Sequence, residues 1–159
     1  MLNIINLKHQ PQHIETLAKW HHKEWSHFNP HESISERITR MQPYLNSDFI
    51  PTTYIATDYE LLGSAAIVAN DMETQTELSP WLASVYVSET NRNKGIGTKL
   101  VKHIMYLAQT NDIDKLYLLT PDQHLFYQRL GWNVRSEELY HGTTVTVMEI
   151  TLNNLKPND

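Results

Sequence analysis

The run Val85-Tyr86-Val87-Ser88-Glu89-Thr90-Asn91-Arg92-Asn93-Lys94-Gly95-Ile96-Gly97-Thr98 constrains this chain more than any other stretch. It reads as a β-branched strand, a polar turn and a helix opened by glycines. Gly95 and Gly97 let the backbone approach an anion closely, and consecutive N–H groups there can converge on it. The helix that follows adds the positive end of its dipole. Arg92 and Lys94 place mobile positive charge alongside. A segment of this kind is suited to hold a pyrophosphate.

Two other phosphate-binding patterns are excluded. A P-loop requires Gly-x-x-x-x-Gly-Lys-Ser/Thr, and a dinucleotide fingerprint requires a third glycine where Leu100 stands. Arg92-Asn93-Lys94-Gly95-Ile96-Gly97 instead resembles the Gln/Arg-x-x-Gly-x-Gly/Ala signature of the GNAT superfamily of acetyl-CoA-dependent N-acetyltransferases. Taken alone, so short a pattern is equally a tight turn opening a core helix. A second run lies one helix and one strand later. Leu125-Phe126-Tyr127-Gln128-Arg129-Leu130-Gly131-Trp132 is similar to the family's short helix, whose tyrosine faces the cofactor sulfur and which ends at Leu-Gly-aromatic. Gly131 is the expected terminator.

The resemblance implies the GNAT fold. This is a mixed α/β (α+β) domain with a central, mostly antiparallel twisted sheet of about six to seven strands, splayed at the cofactor site and flanked by about four helices. The chain's own patterns agree. With 159 residues and 40% hydrophobic content, one core over 1–159 is expected, with 153–159 a frayed tail. Strands are expected near 2–7, 53–57, 61–69, 81–88, 115–120, 134–138 and 144–152. Helices are expected over 11–25, 34–41, 94–109 and 123–130. Ser33 and Glu36 form a capping-box pattern. Ile96, Leu100, Val101, Ile104, Leu107 and Ala108 repeat as a core stripe. No basic leader or membrane-length apolar run is seen, and the cytoplasm, where acetyl-CoA is found, is the expected location.

The resemblance also implies where the chemistry sits. Acetyl-CoA, as co-substrate, lies between the strand of Val85 and the strand of Leu118. Backbone groups of Val85, Tyr86 and Val87 hold its pantetheine arm, and Arg92 through Thr98 hold its pyrophosphate. An N–H at or near the first strand polarises the thioester carbonyl. Tyr127 gives or orients the proton for the departing sulfur. Many family members carry an asparagine seven residues before that tyrosine, where this chain has Thr120, whose hydroxyl replaces one amide hydrogen bond. The string from Thr120 to Tyr127 is similar to the branch containing the actin N-terminal acetyltransferase. There are no cysteines, so an acetyl-cysteine intermediate is excluded.

Glu77 and Glu24 are the candidates for the base that deprotonates the incoming amine, by their expected positions before the phosphate loop and in the first helical region. Trp25, Phe28 and Trp81 are candidates for the acceptor wall, although aromatic residues at helical spacing also build cores. Residues 1–80 carry ten acids against five Lys or Arg, so the formal charge of −5 arises there. Since that part of the family fold supplies much of the acceptor wall, a small cationic amine is favoured as acceptor. A peptide amine, and a catalytically silent acyl-CoA sensor on the same fold, are the alternatives. His21, His22, His27 and His31 do not make His-Glu-x-x-His, so no metal is expected. The acidic balance argues against nucleic acid, and a homodimer is left open.

Overall fold

Alternating side chains set the central strands. In β2 (Thr52–Asp58), Ile55 and Ala56 are both fully buried but join different apolar clusters, because neighbours on a strand face opposite sides. In β3 (Glu60–Val68), Leu61 and Leu62 divide the same way. The sheet is therefore covered on both faces. The computed structural model describes residues 1–152, and the frayed tail expected at 153–159 lies outside them.

The remaining strands are β1 (Asn3–Asn6), β4 (Trp81–Val87), β5 (Lys115–Thr120), β6 (Asn133–Tyr140) and β7 (Thr143–Thr151). They form a seven-stranded sheet in the order β1-β2-β3-β4-β5-β7-β6. Every pairing is antiparallel except that of β4 with β5. That parallel pair is in register only at Trp81 and Tyr117, where the Tyr117 N–H donates to the Pro80 carbonyl at 3.1 Å. Beyond this point the strands diverge and open a gap at the sheet's centre.

Helices α1 (Ile14–Trp25) and α2 (Ile34–Arg40) cover one face. Ile14, Leu17, Ala18 and His21 make the buried stripe of α1. The sequence predicts α-helix from Pro11, but Pro11–His13 forms a 3-10 turn, whose start has no side-chain cap. The capping box of α2 is closed in both directions, Glu36 N–H to Ser33 Oγ and Ser33 N–H to Glu36 Oε1, each at 3.0 Å. On the opposite face lie α3 (Ile96–Thr110) and α4 (His124–Arg129). The α3 stripe is as expected except that Met105 is buried and Leu107 only half-buried.

Candidate active site

A β-bulge shapes the strand beside the gap. Gly63 pairs with Val87 and Ser64 with Tyr86, but Ala66 pairs with Ala83, so two residues of β4, Ser84 and Val85, stand opposite Ala65 alone. Ser84 takes φ 52, a conformation uncommon for anything but glycine. A Cβ on Gly63 would lie 2.4 Å from the Tyr86 carbonyl oxygen, so only glycine lets β3 approach so closely here. Nothing in the sequence marks the bulge, since Ser84 reads as one more residue of a regular strand.

Beyond β4 the chain makes a 3-10 turn at Glu89–Asn91 and then the loop to α3. Arg92 folds back, its Nε donating to the Val87 carbonyl at 2.9 Å and its guanidinium lying 5.3 Å from the centre of the Tyr86 ring. Asn93 and Gly95 both adopt left-handed conformations, φ 65 and 82. A Cβ on Gly95 would touch nothing, so conformation rather than space calls for glycine there. No side chain caps the start of α3, whose first N–H groups are left for an external acceptor. This uncapped N-terminus of a 15-residue helix, preceded by two left-handed residues, fits a pyrophosphate. Asn93, Gly95, Ile96, Gly97 and Thr98 line the same cleft as Val85, Tyr86 and Val87, whereas Lys94 is exposed and outside its wall.

That cleft, of about 1230 Å³, reaches across the gap to β5 and α4. Thr120 is buried there, its Oγ1 accepting the Gln123 N–H at 3.0 Å, which leaves the hydroxyl proton free to donate. Tyr127 lines the cleft while only 8% exposed. Its ring packs against Phe126 and Trp132, with centroids 5.0 and 6.1 Å away. Burial pushes its phenol above the usual tyrosine range, so the group is neutral at every pH of interest.

The other end of the cleft is walled by α1, α2 and the β3–β4 connection. Trp25 and Phe28 are half-buried and line it. Trp81 does not: it is fully buried, its indole N–H donating to the Leu78 carbonyl at 2.7 Å, and it is a core side chain. Glu77 is exposed and outside the cleft wall, while Glu24, also exposed, is part of it. The carboxylate that the sequence reading misses is Asp71. It is exposed and lines the cleft. The surrounding protein disfavours its charged form and pushes the carboxyl up to about 7, against the pull of Arg40 and Arg37.

Arg37 and Arg40 also line this end. Arg40 holds both oxygens of the buried Glu32 carboxylate, at 2.7 and 2.9 Å. Arg37 is left 3.3 Å from Glu32, and its buried Nε has no hydrogen-bond partner. The wall is therefore mixed, not acidic. Glu24, Asp71 and Glu73 face the cleft together with two arginines, and the other acids of residues 1–80 lie elsewhere. Among the described residues no group of three His, Asp or Glu is placed to hold a metal, and no helix is long and apolar enough to cross a membrane.

Residues 51–134 match the model of the acetyltransferase (GNAT) domain family. No curated protein matches the sequence. Among solved structures, an aminoglycoside 6'-N-acetyltransferase complexed with coenzyme A aligns with TM-score 0.75 and 16% identity, over 94% of this chain and 97% of that one. Spermidine/spermine N-acetyltransferase SpeG from Vibrio cholerae aligns with TM-score 0.70 and 14% identity, over 96% of each. NAA60 of Arabidopsis thaliana, in complex with a bisubstrate analogue, aligns with TM-score 0.72 and 17% identity, over 98% of this chain and all of that one.

Proposed function

Because the chain belongs to the acetyltransferase (GNAT) family, whose model spans more than half of it, we propose that it moves an acetyl group from acetyl-CoA to a primary amine by direct attack in a ternary complex. The observation that carries this reading is one cleft lined at once by the uncapped start of α3, the bulged strand β4 and the buried Tyr127. A single domain over 1–159, working in the cytoplasm where acetyl-CoA is available, completes the proposal.

Bound acetyl-CoA supplies the thioester and leaves as CoA. The residues of the chain do the rest. Asp71 takes the proton of the incoming ammonium and later loses it to solvent. Backbone N–H groups near the Ser84–Val85 bulge receive the charge that grows on the carbonyl oxygen. Tyr127 gives a proton to the departing sulfur and is reprotonated, through water, by the second proton that the newly acylated nitrogen sheds.

Asp71 has a testable pH signature. With its carboxyl at about 7, the base is protonated and idle below neutrality and ionised above it. The value of kcat/KM is expected to rise with pH and level off above 7. Asp71→Asn should lower it by roughly 100-fold or more and remove the inflection near 7, leaving only the rise that follows the amine itself. An unchanged profile in Asp71→Asn would return the role to Glu24 or to water.

The acceptor follows from the mixed wall. Arg37 and Arg40 both line this end of the cleft, and an anionic group of the acceptor can pair with their guanidinium groups there. The acceptor is thus an amine that also carries a negative group, as an acidic peptide N-terminus does. The second reading, a small purely cationic amine, is favoured by the three carboxylates at this end of the cleft, Glu24, Asp71 and Glu73. Initial rates of CoA release with spermidine, an aminoglycoside and an Asp/Glu-initiated peptide, at low and high salt, separate the two. The peptide should be preferred, less so at high salt, as the Debye length shrinks from about 10 Å at 0.1 M to about 3 Å at 1 M. A preference for spermidine restores the cationic reading. Tight acetyl-CoA binding without transfer to any amine would instead make the protein a silent acyl-CoA sensor.

A further inference from the structure

Behind the cleft a buried polar line runs from α1 through β3 into β4, and none of the steps above uses it. Ser64 is 0% exposed and His21 is 2% exposed. Ser64 Oγ donates to the Ser84 carbonyl at 2.8 Å, and His21 Nε2 lies 3.0 Å from the same Oγ. A serine has one hydroxyl proton. With that proton given to Ser84, the second contact closes only if His21 donates through Nε2–H. Burial, reinforced by Arg37 and Arg40, pushes His21 down to about 3, so the ring is neutral with its proton on Nε2. Its orientation is held by Trp25 and Tyr86, whose ring centroids lie 5.2 and 6.0 Å from its own.

The line ends on Ser84, part of the bulge and of the cleft wall, at φ 52. A left-handed conformation is disfavoured for a non-glycine residue and persists only where its surroundings over-determine it. A polar pair this deeply buried is itself expensive unless every group is satisfied. An apolar pair would fill the same space without that expense but would give the Ser84 carbonyl no partner.

We propose that His21 and Ser64 act as a strut that fixes the Ser84–Val85 bulge from behind, so that the β4 backbone keeps the aim acetyl transfer needs. They are positioning residues that touch neither acetyl-CoA nor acceptor. The strut explains why α1, which supplies Trp25 and Glu24 to the acceptor wall, is also tied to the strand on the acetyl side.

The kinetic arm of the test rests on the acetyl-transfer reading, and the exchange arm does not. Ser64→Ala removes the donor. It should leave acetyl-CoA affinity within about threefold of wild type while lowering kcat about 10- to 100-fold, since misplacement by about 1 Å has effects of that order. His21→Phe keeps a ring but no donor and should match it. His21→Gln, whose amide nitrogen can stand where Nε2 stands, and Ser64→Cys, a weak donor of similar size, should recover most of kcat. If Ser64→Ala folds poorly, the His21→Gln and His21→Phe pair makes the same comparison. Amide hydrogen exchange at Val85 should quicken in Ser64→Ala and His21→Phe and return toward wild type in His21→Gln. Wild-type kcat in His21→Phe, or equal losses in His21→Phe and His21→Gln, would overturn the strut. Wild-type protein that binds no acetyl-CoA would remove the transfer reading instead. Unchanged Val85 exchange in His21→Phe would then overturn the strut on its own.

Discussion

Gly97→Val weakens acetyl-CoA binding by roughly 10- to 100-fold while the protein stays folded. Gly97 is the second residue of α3 and lines the cleft. A Cβ there would meet Phe126 Cζ at 3.6 Å and Val87 Cγ2 at 3.7 Å, ordinary contacts that the protein accommodates without moving. The two γ-methyls of valine are different. They enter the space between α3, α4 and β4 that the cofactor needs, and overfilling such a space costs about 1–3 kcal/mol, against 1.4 kcal/mol per decade of affinity. Helix propensity contributes little, because valine and glycine are both poor helix formers. Titration calorimetry with acetyl-CoA reads the loss directly, with Gly97→Ala as an intermediate. Unaltered affinity in folded Gly97→Val would take the loop out of cofactor binding.

What the sequence discloses follows from the range of the physics involved. The phosphate loop, the strand before it and the helix of Tyr127 are legible because each depends on residues close in the chain: glycines that permit a left-handed turn, a stripe of period 3.6, and Gly131 after the last turn of α4 with φ 99. The capping box of α2 is legible for the same reason. The acceptor end is not. Asp71 sits in a polar connection with no periodicity, and it becomes distinctive only when the fold places it beside Arg37 and Arg40. Those arginines, one helical turn apart, read as solvated charge until α2 packs them toward the cleft. Trp81 carries the opposite lesson, since its sequence neighbours do not reveal that the Leu78 carbonyl satisfies its indole N–H and lets the ring be core. The bulge at Ser84 depends on pairing with β3 and on the close approach at Gly63, both long-range.

Tyr127→Phe should separate chemistry from binding. Phenylalanine keeps the ring between Phe126 and Trp132 and loses only the hydroxyl, so thermal stability and acetyl-CoA affinity should stay near wild type. Turnover should fall roughly ten- to ten-thousand-fold, the range expected when a positioned proton donor is removed. Burial raises the phenol above its usual range, which by itself makes Tyr127 a weaker acid. The sulfur leaves into the same poorly solvated space, however, where the thiolate is also destabilised, so the proton affinities of donor and acceptor rise together. Because the phenol does not titrate near neutrality, the inflection at about 7 assigned to Asp71 should survive in Tyr127→Phe at reduced amplitude. Initial rates across pH for the wild type, Tyr127→Phe and Asp71→Asn therefore assign the two proton transfers separately. Equal kcat in wild type and Tyr127→Phe would remove the tyrosine from the mechanism and leave water as the source of the sulfur's proton.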